Sequence, residues 1–230
     1  MQAIVLAGGL GTRLKSVAQD LPKPMAPING KPFLTFVLEY LKKQGITEII
    51  LSVSYKYELI QEYFKDEFDG MKIYYNIEKE LLGTGGAIKD AMKFIKNQAY
   101  VLNGDTIFNI DLKKLVLNDS KICIALKQMQ NFDRYGTVNV DDHGIVTSFE
   151  EKIFKKQGLI NGGVYLLKKD IFEEFDLDRK FSFEEFLQVN YKILKIQTQF
   201  FDDYFVDIGI PQDYHNFSFL KKENYDNNIS

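Results

Sequence analysis

The 230-residue chain is poor in cysteine, in arginine and in net charge, and it has no long apolar run. A single cysteine, Cys123, excludes a disulfide framework, and its place in the strand-like stretch KICIALK marks it as a buried thiol. A net charge of −3 and a pI of about 5.6 lack the basic excess with which a nucleic-acid surface displaces counterions. No stretch reaches the ~18 apolar residues of a membrane span, and no basic region precedes the amino-terminal IVLAGGL as it would in a secretory leader, so a cytoplasmic location is expected. Of 29 basic residues only Arg13, Arg134 and Arg179 are arginines, so an arginine kept inside a motif points to a need for its fork of donors. What remains, 45% hydrophobic and 27% charged, is the composition of a globule able to bury a core.

Strand-like and helical patterns alternate through the first half. QAIVLA is followed by PFLTFVLEYLKKQG, where Phe33, Phe36, Val37, Tyr40 and Leu41 recur at helical spacing, Pro32 suits the first turn and Gly45 the stop. EIILSVS, KIYYNIE and QAYVLNGD read as strands, and YELIQEYFKDEF and GGAIKDAMKFIK as the helices between them. This β-α-β-α-β-α-β order predicts an α/β fold with a mainly parallel sheet, helices on both faces and ligands at the carboxyl ends of the strands. The second half reads as a hairpin around DDHG in TVNVDDHGIVTSFEEK, a strand LINGGVYLL, a short helix DIFEEF, a helix FSFEEFLQVNYKI, a strand KIQTQFF, a strand-like YFVDI and a closing helix PQDYHNFSFLKK. There is no linker, internal repeat or low-complexity tract.

In IVLAGGLGTRL the glycines Gly8, Gly9 and Gly11 follow a strand, where backbone amides can converge on a phosphate; the same pattern also makes a plain tight turn. It is neither the dinucleotide fingerprint, since Leu14 stands where the third glycine would be, nor a Walker loop, since no Gly-Lys-Ser/Thr follows. Its company is basic: Arg13, Lys15, Lys23 and Lys31 against Asp20 alone, which favours a highly charged anion. Pro22 and Pro24 flank Lys23 and predict a stiff, extended mount for its ammonium. Asp105 ends one strand and Asp207 follows another. Each suits a turn, and together they suit a magnesium ion whose other positions are filled by phosphate oxygens and water.

LAGGLGTRL followed by PKPMAPINGKP resembles the signature of the sugar-1-phosphate nucleotidyltransferases. The resemblance continues through LGTGGAI, VLNGD, YGTV, FEEK, NGGVY and VDIGIPQDY, from Gln2 to about Tyr214. It implies a Rossmann-like nucleotidyltransferase fold, a mixed sheet flanked by helices with a small α+β sugar-binding portion. One domain is expected over 1–222, nucleotide-binding to about residue 110 and sugar-binding beyond it, with a tail at 223–230. The implied reaction is attack by a sugar 1-phosphate oxygen on the α-phosphorus of a nucleoside triphosphate, with pyrophosphate leaving, and it needs no protein nucleophile. His143, in the DDHG turn, and His215, in the last helix, are accordingly read as structural or solvent-facing.

By the same resemblance Leu6, Ala7, Gly8, Gly9, Gly11, Thr12, Arg13 and Lys23 hold the nucleotide, with Arg13, Lys23 and Asp105 catalytic. Asp105 and Asp207 hold Mg²⁺. Gly83 and Thr84 face base and ribose, and Asn76 and Glu78 are further candidates for base contacts. Asn103, Gly104, Gly136, Glu151, Lys152, Asn161 and Gly162 fall to the sugar phosphate, with Lys152 on its phosphate. Members of the family often have tryptophan where this chain has Phe205, and threonine where it has Ile210. The absence of a hexapeptide-repeat array implies one activity, and dimers are common in the family. EKELLGTGGAI is most similar to guanylyltransferases of manno-configured sugars, which implies GTP as donor and a D-glycero-D-manno-heptose 1-phosphate, ahead of mannose 1-phosphate, as acceptor, for bacterial surface polysaccharide synthesis. A carbonyl near Gly83 or the Glu78 carboxylate would then accept from guanine. Uridylyl transfer to a glucose-type or N-acetylated sugar phosphate, a non-catalytic regulatory subunit of the same fold and a metal-dependent glycosyltransferase are the alternatives.

Overall fold

Strand β1 (Gln2–Leu6) is flanked on both sides by parallel strands, which is why its apolar run is unbroken. The computed structural model describes residues 1–9 and 21–226, with side chains placed to residue 220. After β1 come β2 (Pro27–Ile28), β3 (Lys31–Pro32), α1 (Phe33–Lys43), β4 (Glu48–Val53), α2 (Tyr57–Phe64), β5 (Glu67–Phe68), β6 (Met71–Ile77), α3 (Gly83–Ala91) and β7 (Gln98–Asn103). The second half holds β8 (Thr106–Phe108), β9 (Ile122–Phe132), β10 (Thr137–Val140), β11 (Val146–Glu150) and β12 (Lys155–Lys168). These are followed by α4 (Phe183–Leu194), β13 (Gln197–Phe201), β14 (Phe205–Asp207) and α5 (Pro211–Asp226). The main sheet runs β11-β10-β12-β7-β1-β4-β6-β5, with β9 beside β12 and β13 beside β9. Its centre, β7-β1-β4-β6, is parallel, and β12 joins β7 antiparallel.

Alternation along the central strands divides the core in two. Ala3, Val5, Ile49, Leu51 and Leu102 face one side with Phe33, Val37 and Leu41 of α1, whereas Ile4, Ile50 and Val101 face the other with Ile88 of α3 and Phe186 of α4. Helix α1 ends as its glycine foretold: Gly45 has φ +78°, its N–H reaches Lys42 O, and Ile46 N–H reaches Leu41 O, the paired bonds of a Schellman stop. Cys123 is fully buried, and burial pushes its thiol up to about 11. No helix among the described residues is long and apolar enough to cross a membrane.

Three expectations give way. The helix expected over 57–68 stops at Phe64, because Asp69 and Gly70, both at positive φ, form a two-residue hairpin turn that pairs Phe68 with Met71. DIFEEF forms no helix: Ile171, Glu173 and Phe175 each bond three residues back, in successive turns that bury Ile171 and Phe172. The closing helix runs to Asp226, beyond the boundary expected at residue 222.

The glycines of LGTGGAI seat a crossing strap. Residues 179–183 lie over the start of α3, where Phe181 N–H donates to Leu82 O and Phe181 O accepts from Gly85 N. A Cβ on Gly83 would stand 2.5 Å from Phe181 O, and one on Gly86 2.5 Å from Arg179 O and 2.8 Å from Leu82 Cβ. Alanine at position 86 gains up to ~1 kcal/mol of helix propensity. The overpacking it causes typically costs ~1–3 kcal/mol and must displace backbone. Gly86→Ala is therefore expected to lower the urea midpoint at unchanged m-value; an unchanged or raised midpoint would show that the strap is not seated there.

Candidate active site

The carboxyl ends of β1, β4, β6 and β7 open into a cleft of about 570 Å³, walled by Leu6, Gly8, Gly9, Ser52, Glu78, Gly83, Thr84, Asn103, Asp105 and Lys23. Beyond β1 the chain turns at Ala7, whose N–H donates to Ser52 O at 2.7 Å. Gly8 O then accepts from the Ser54 hydroxyl at 2.5 Å. A Cβ on Gly8 would meet Ser54 Oγ at 3.0 Å and Glu78 Oε1 at 3.2 Å, so glycine lets the backbone lie against this wall. Gly11, Thr12 and Arg13 lie outside the described residues.

Lys23 is mounted differently from expectation. Pro22 is extended, but Lys23 opens a tight turn, Lys23–Met25, closed by Met25 N–H to Pro22 O and Ala26 N–H to Lys23 O. The turn buries Pro24 and Met25 and leaves the Lys23 side chain only 12% exposed. Its ammonium pairs with Asp105 Oδ2 and stands 3.7 Å from Asp207 Oδ1.

The two aspartates, far apart in sequence, meet through a small second sheet. β8 and β14 pair antiparallel with Asp207 opposite Thr106, and Ile208 N–H donates to Asp105 O at 3.0 Å. Each carboxylate is further held, Asp105 Oδ1 by the Thr106 hydroxyl at 3.1 Å and Asp207 Oδ1 by Gly209 N–H at 2.7 Å. Phe205 packs edge-on against Phe108 and Tyr135, so the aromatic ring at this position pins β14 in place. Two carboxylates that one ammonium can reach are also close enough to share a divalent cation whose remaining positions are filled by phosphate and water. Among the described residues there is no cluster of three or more His, Cys, Asp or Glu that could hold a metal ion.

At the other side of the cleft, Glu78 is held by two donors. The Ser52 hydroxyl reaches Oε1 at 3.2 Å and Leu82 N–H reaches Oε2 at 3.1 Å. Asn76 lies behind them, fully buried, and donates to Ser52 Oγ at 3.1 Å. Burial raises the Glu78 carboxyl above the usual carboxylate range, against the lowering effect of the two donors. Asn76 thus braces Glu78 and does not line the cleft itself.

The remaining candidates divide. Asn103 lines the cleft, and Gly163, at φ +69°, makes room for its amide: a Cβ there would stand 2.7 Å from Asn103 Nδ2. Gly104 backs it, donating to Leu6 O at 2.9 Å. The register of β12 against β9 shifts between Asn161 and Tyr165, a bulge in which Gly162 accommodates the Phe108 ring and Asn161 donates to Tyr165 OH at 2.8 Å. Gly136 sits under the Glu150 carbonyl. Glu151 and Lys152 lie exposed on the loop between β11 and β12 and do not line the cleft. His143 and His215 are exposed, as expected. Sequence reasoning missed Ser52, Gly209, Lys180 and Glu184, all on the cleft wall. A serine in the middle of the apolar run EIILSVS was the one available signal for Ser52.

A model of the nucleotidyl transferase family matches residues 2–223, and the chain belongs to that family. It is 73% identical over 217 residues to the D-glycero-alpha-D-manno-heptose 1-phosphate guanylyltransferase of Campylobacter jejuni, covering 94% of this chain and 98% of the relative. To the enzyme of the same name from Aneurinibacillus thermoaerophilus it is 49% identical, over 93% and 95% of the two chains. The crystal structure of HddC from Yersinia pseudotuberculosis superposes with a TM-score of 0.82 at 42% identity, covering 94% of this chain and 97% of that one. A second structure of HddC, complexed with GMP-PN, gives 0.80. The fold is thus the Rossmann-like nucleotidyltransferase fold, and the protein is a nucleotidyltransferase.

Because Lys23, Asp105 and Asp207 form one charge cluster, Asp105→Asn and Asp207→Asn are each expected to lower the rate of nucleotidyl transfer by roughly 10² or more. The double variant should be little worse than either single, as for residues acting as a unit. Pyrophosphate release measures this; near wild-type turnover of Asp207→Asn would remove that residue from the chemistry.

Proposed function

We propose that the protein transfers GMP from GTP to a sugar 1-phosphate, with D-glycero-D-manno-heptose 1-phosphate as its best acceptor, and releases pyrophosphate. The observation that carries this reading is one cleft lined by two chemically different groups: Lys23 and Asp105, with Asp207 3.7 Å from the Lys23 ammonium, and the braced Glu78 carboxylate. The first suits a polyphosphate and the second a base with two adjacent donors. The names of the relatives, and the GMP-PN bound to HddC, support the same donor and acceptor.

In the reaction an oxygen of the sugar 1-phosphate forms a bond to the α-phosphorus, and the bond from that phosphorus to the pyrophosphate oxygen breaks in line. The nucleophile is already an anion, so the protein supplies alignment and charge rather than a base. The glycine turn after β1 lets backbone approach the triphosphate, and Lys23 neutralises charge between the two phosphates that must meet. Arg13 joins them on the strength of the family resemblance. Asp105 and Asp207 would hold a magnesium ion, which when bound neutralises nucleotide phosphate oxygens. On the sugar side Asn103 lines the cleft, and Gly136, Glu151, Lys152, Asn161 and Gly162 rest on the resemblance alone.

Guanine presents the N1 and N2 hydrogens together, and a carboxylate accepts both. Glu78 suits this better than a carbonyl of the neighbouring turn, since Leu82 O already accepts from Phe181 N–H. A competing base without those two donors leaves acceptor positions of this half-buried carboxylate unfilled beside its Ser52 and Leu82 bonds, which costs about 1–3 kcal/mol, roughly ten- to hundredfold in selectivity. A matrix of nucleoside triphosphates against heptose, mannose, glucose and N-acetylated hexose 1-phosphates, read by pyrophosphate release, should therefore peak at GTP with the heptose. Glu78→Gln should erase most of the advantage of GTP over UTP. A maximum at UTP would overturn the guanylyl assignment and leave the reaction type standing.

A further inference from the structure

The strap over α3 delivers a second carboxylate to the cleft. Glu184, in the first turn of α4, lines the cleft wall together with Thr84 and Lys180. Its Oε2 accepts the Thr84 hydroxyl at 2.7 Å and the Ser182 hydroxyl at 3.0 Å. Thr84 Oγ1 in turn accepts Phe183 N–H at 2.8 Å. The Thr84 hydroxyl, expected from the sequence to face the ribose, therefore spends its proton on Glu184, and the group displayed to a ligand at this point is the carboxylate.

The start of α4 does not need Glu184. Ser182 is the N-cap and accepts from Glu185 N–H at 3.2 Å, which satisfies the helix end without the neighbouring glutamate. Two hydroxyls instead fix Glu184, one of them from α3, and both land on the same oxygen. Oε1 accepts from no donor among the described residues and is the acceptor offered to a ligand. A carboxylate repels phosphate, so its ligand is an uncharged donor, and a cleft that takes a nucleotide and a sugar phosphate offers hydroxyls.

We propose that Glu184, positioned by Thr84 and Ser182, binds a hydroxyl of a ring sugar, either the ribose of the nucleotide or the acceptor sugar. This rests on the transfer reaction proposed above. The test is a cycle of protein and substrate deletions: kcat/KM of wild type, Glu184→Ala and Glu184→Gln with GTP, 2′-deoxy-GTP and 3′-deoxy-GTP, and with mannose 1-phosphate and its 2-deoxy and 3-deoxy forms. Glu184→Ala should lose roughly ten- to hundredfold with the complete substrates and almost nothing with the analogue that lacks the contacted hydroxyl, and that analogue identifies the sugar. Glu184→Gln keeps an acceptor for Thr84 and Ser182, preserves the fold and should show the same pattern more weakly. Equal losses with every analogue, or no loss, would overturn the proposal and leave Glu184 as a brace between α3 and α4. Failure of the wild type to release pyrophosphate from any pair would overturn the transfer reaction itself, and this assignment with it.

Discussion

An ammonium wedged between two carboxylates holds the site together. Asp105 and Asp207 sit at the ends of segments far apart in the chain, and bringing two like charges together in a partly shielded place is unfavourable unless a cation stands between them. Lys23 is that cation. Its own mount, a turn between two prolines packed on α1, fixes where the charge stands, and the β8–β14 ladder fixes where the aspartates stand. The late chain segment around Asp207 is thereby brought to Lys23, near the start of the chain. A site that arranges cations and carboxylates this way handles the repulsion of two polyanionic substrates with the balance it already needs to fold.

The opposite wall is assembled by close backbone approach. The glycines of LGTGGAI lie beneath the 179–183 strap, and the strap places Glu184 beside Thr84. The Ser52–Asn76 pair braces Glu78 from inside the sheet. Two carboxylates are thus presented to the cleft, each held by a donor from another element.

The central parallel strands were legible in the sequence because burial on both faces leaves unbroken apolar runs such as QAIVL and EIILSV. So were the places of Asp105 and Asp207, since strand ends are local features, whereas the tight turn that mounts Lys23 was not. The early end of α2 was missed although Asp69-Gly70 signals a hairpin, because the helical period continued into it. Ser52 and Glu184 were not legible as parts of the site: Ser52 owes its role to Asn76 and Glu78 and Glu184 to Thr84, partners brought near only by tertiary pairing. The glycines of LGTGGAI show the converse. Their spacing was visible, but the surface they accommodate, the Arg179 and Phe181 backbone, comes from the other half of the chain.

The central claim is that Asp105 and Asp207 act as one site for a divalent ion that arrives with nucleotide. The most direct measurement is Mn²⁺ binding followed by electron paramagnetic resonance, in the presence of a non-hydrolysable GTP analogue, for the wild type, Asp105→Asn, Asp207→Asn and the double variant. The expected result is one nucleotide-dependent Mn²⁺ site in the wild type, weakened at least tenfold by either substitution and little further by both. Wild-type Mn²⁺ affinity in both single variants would contradict it.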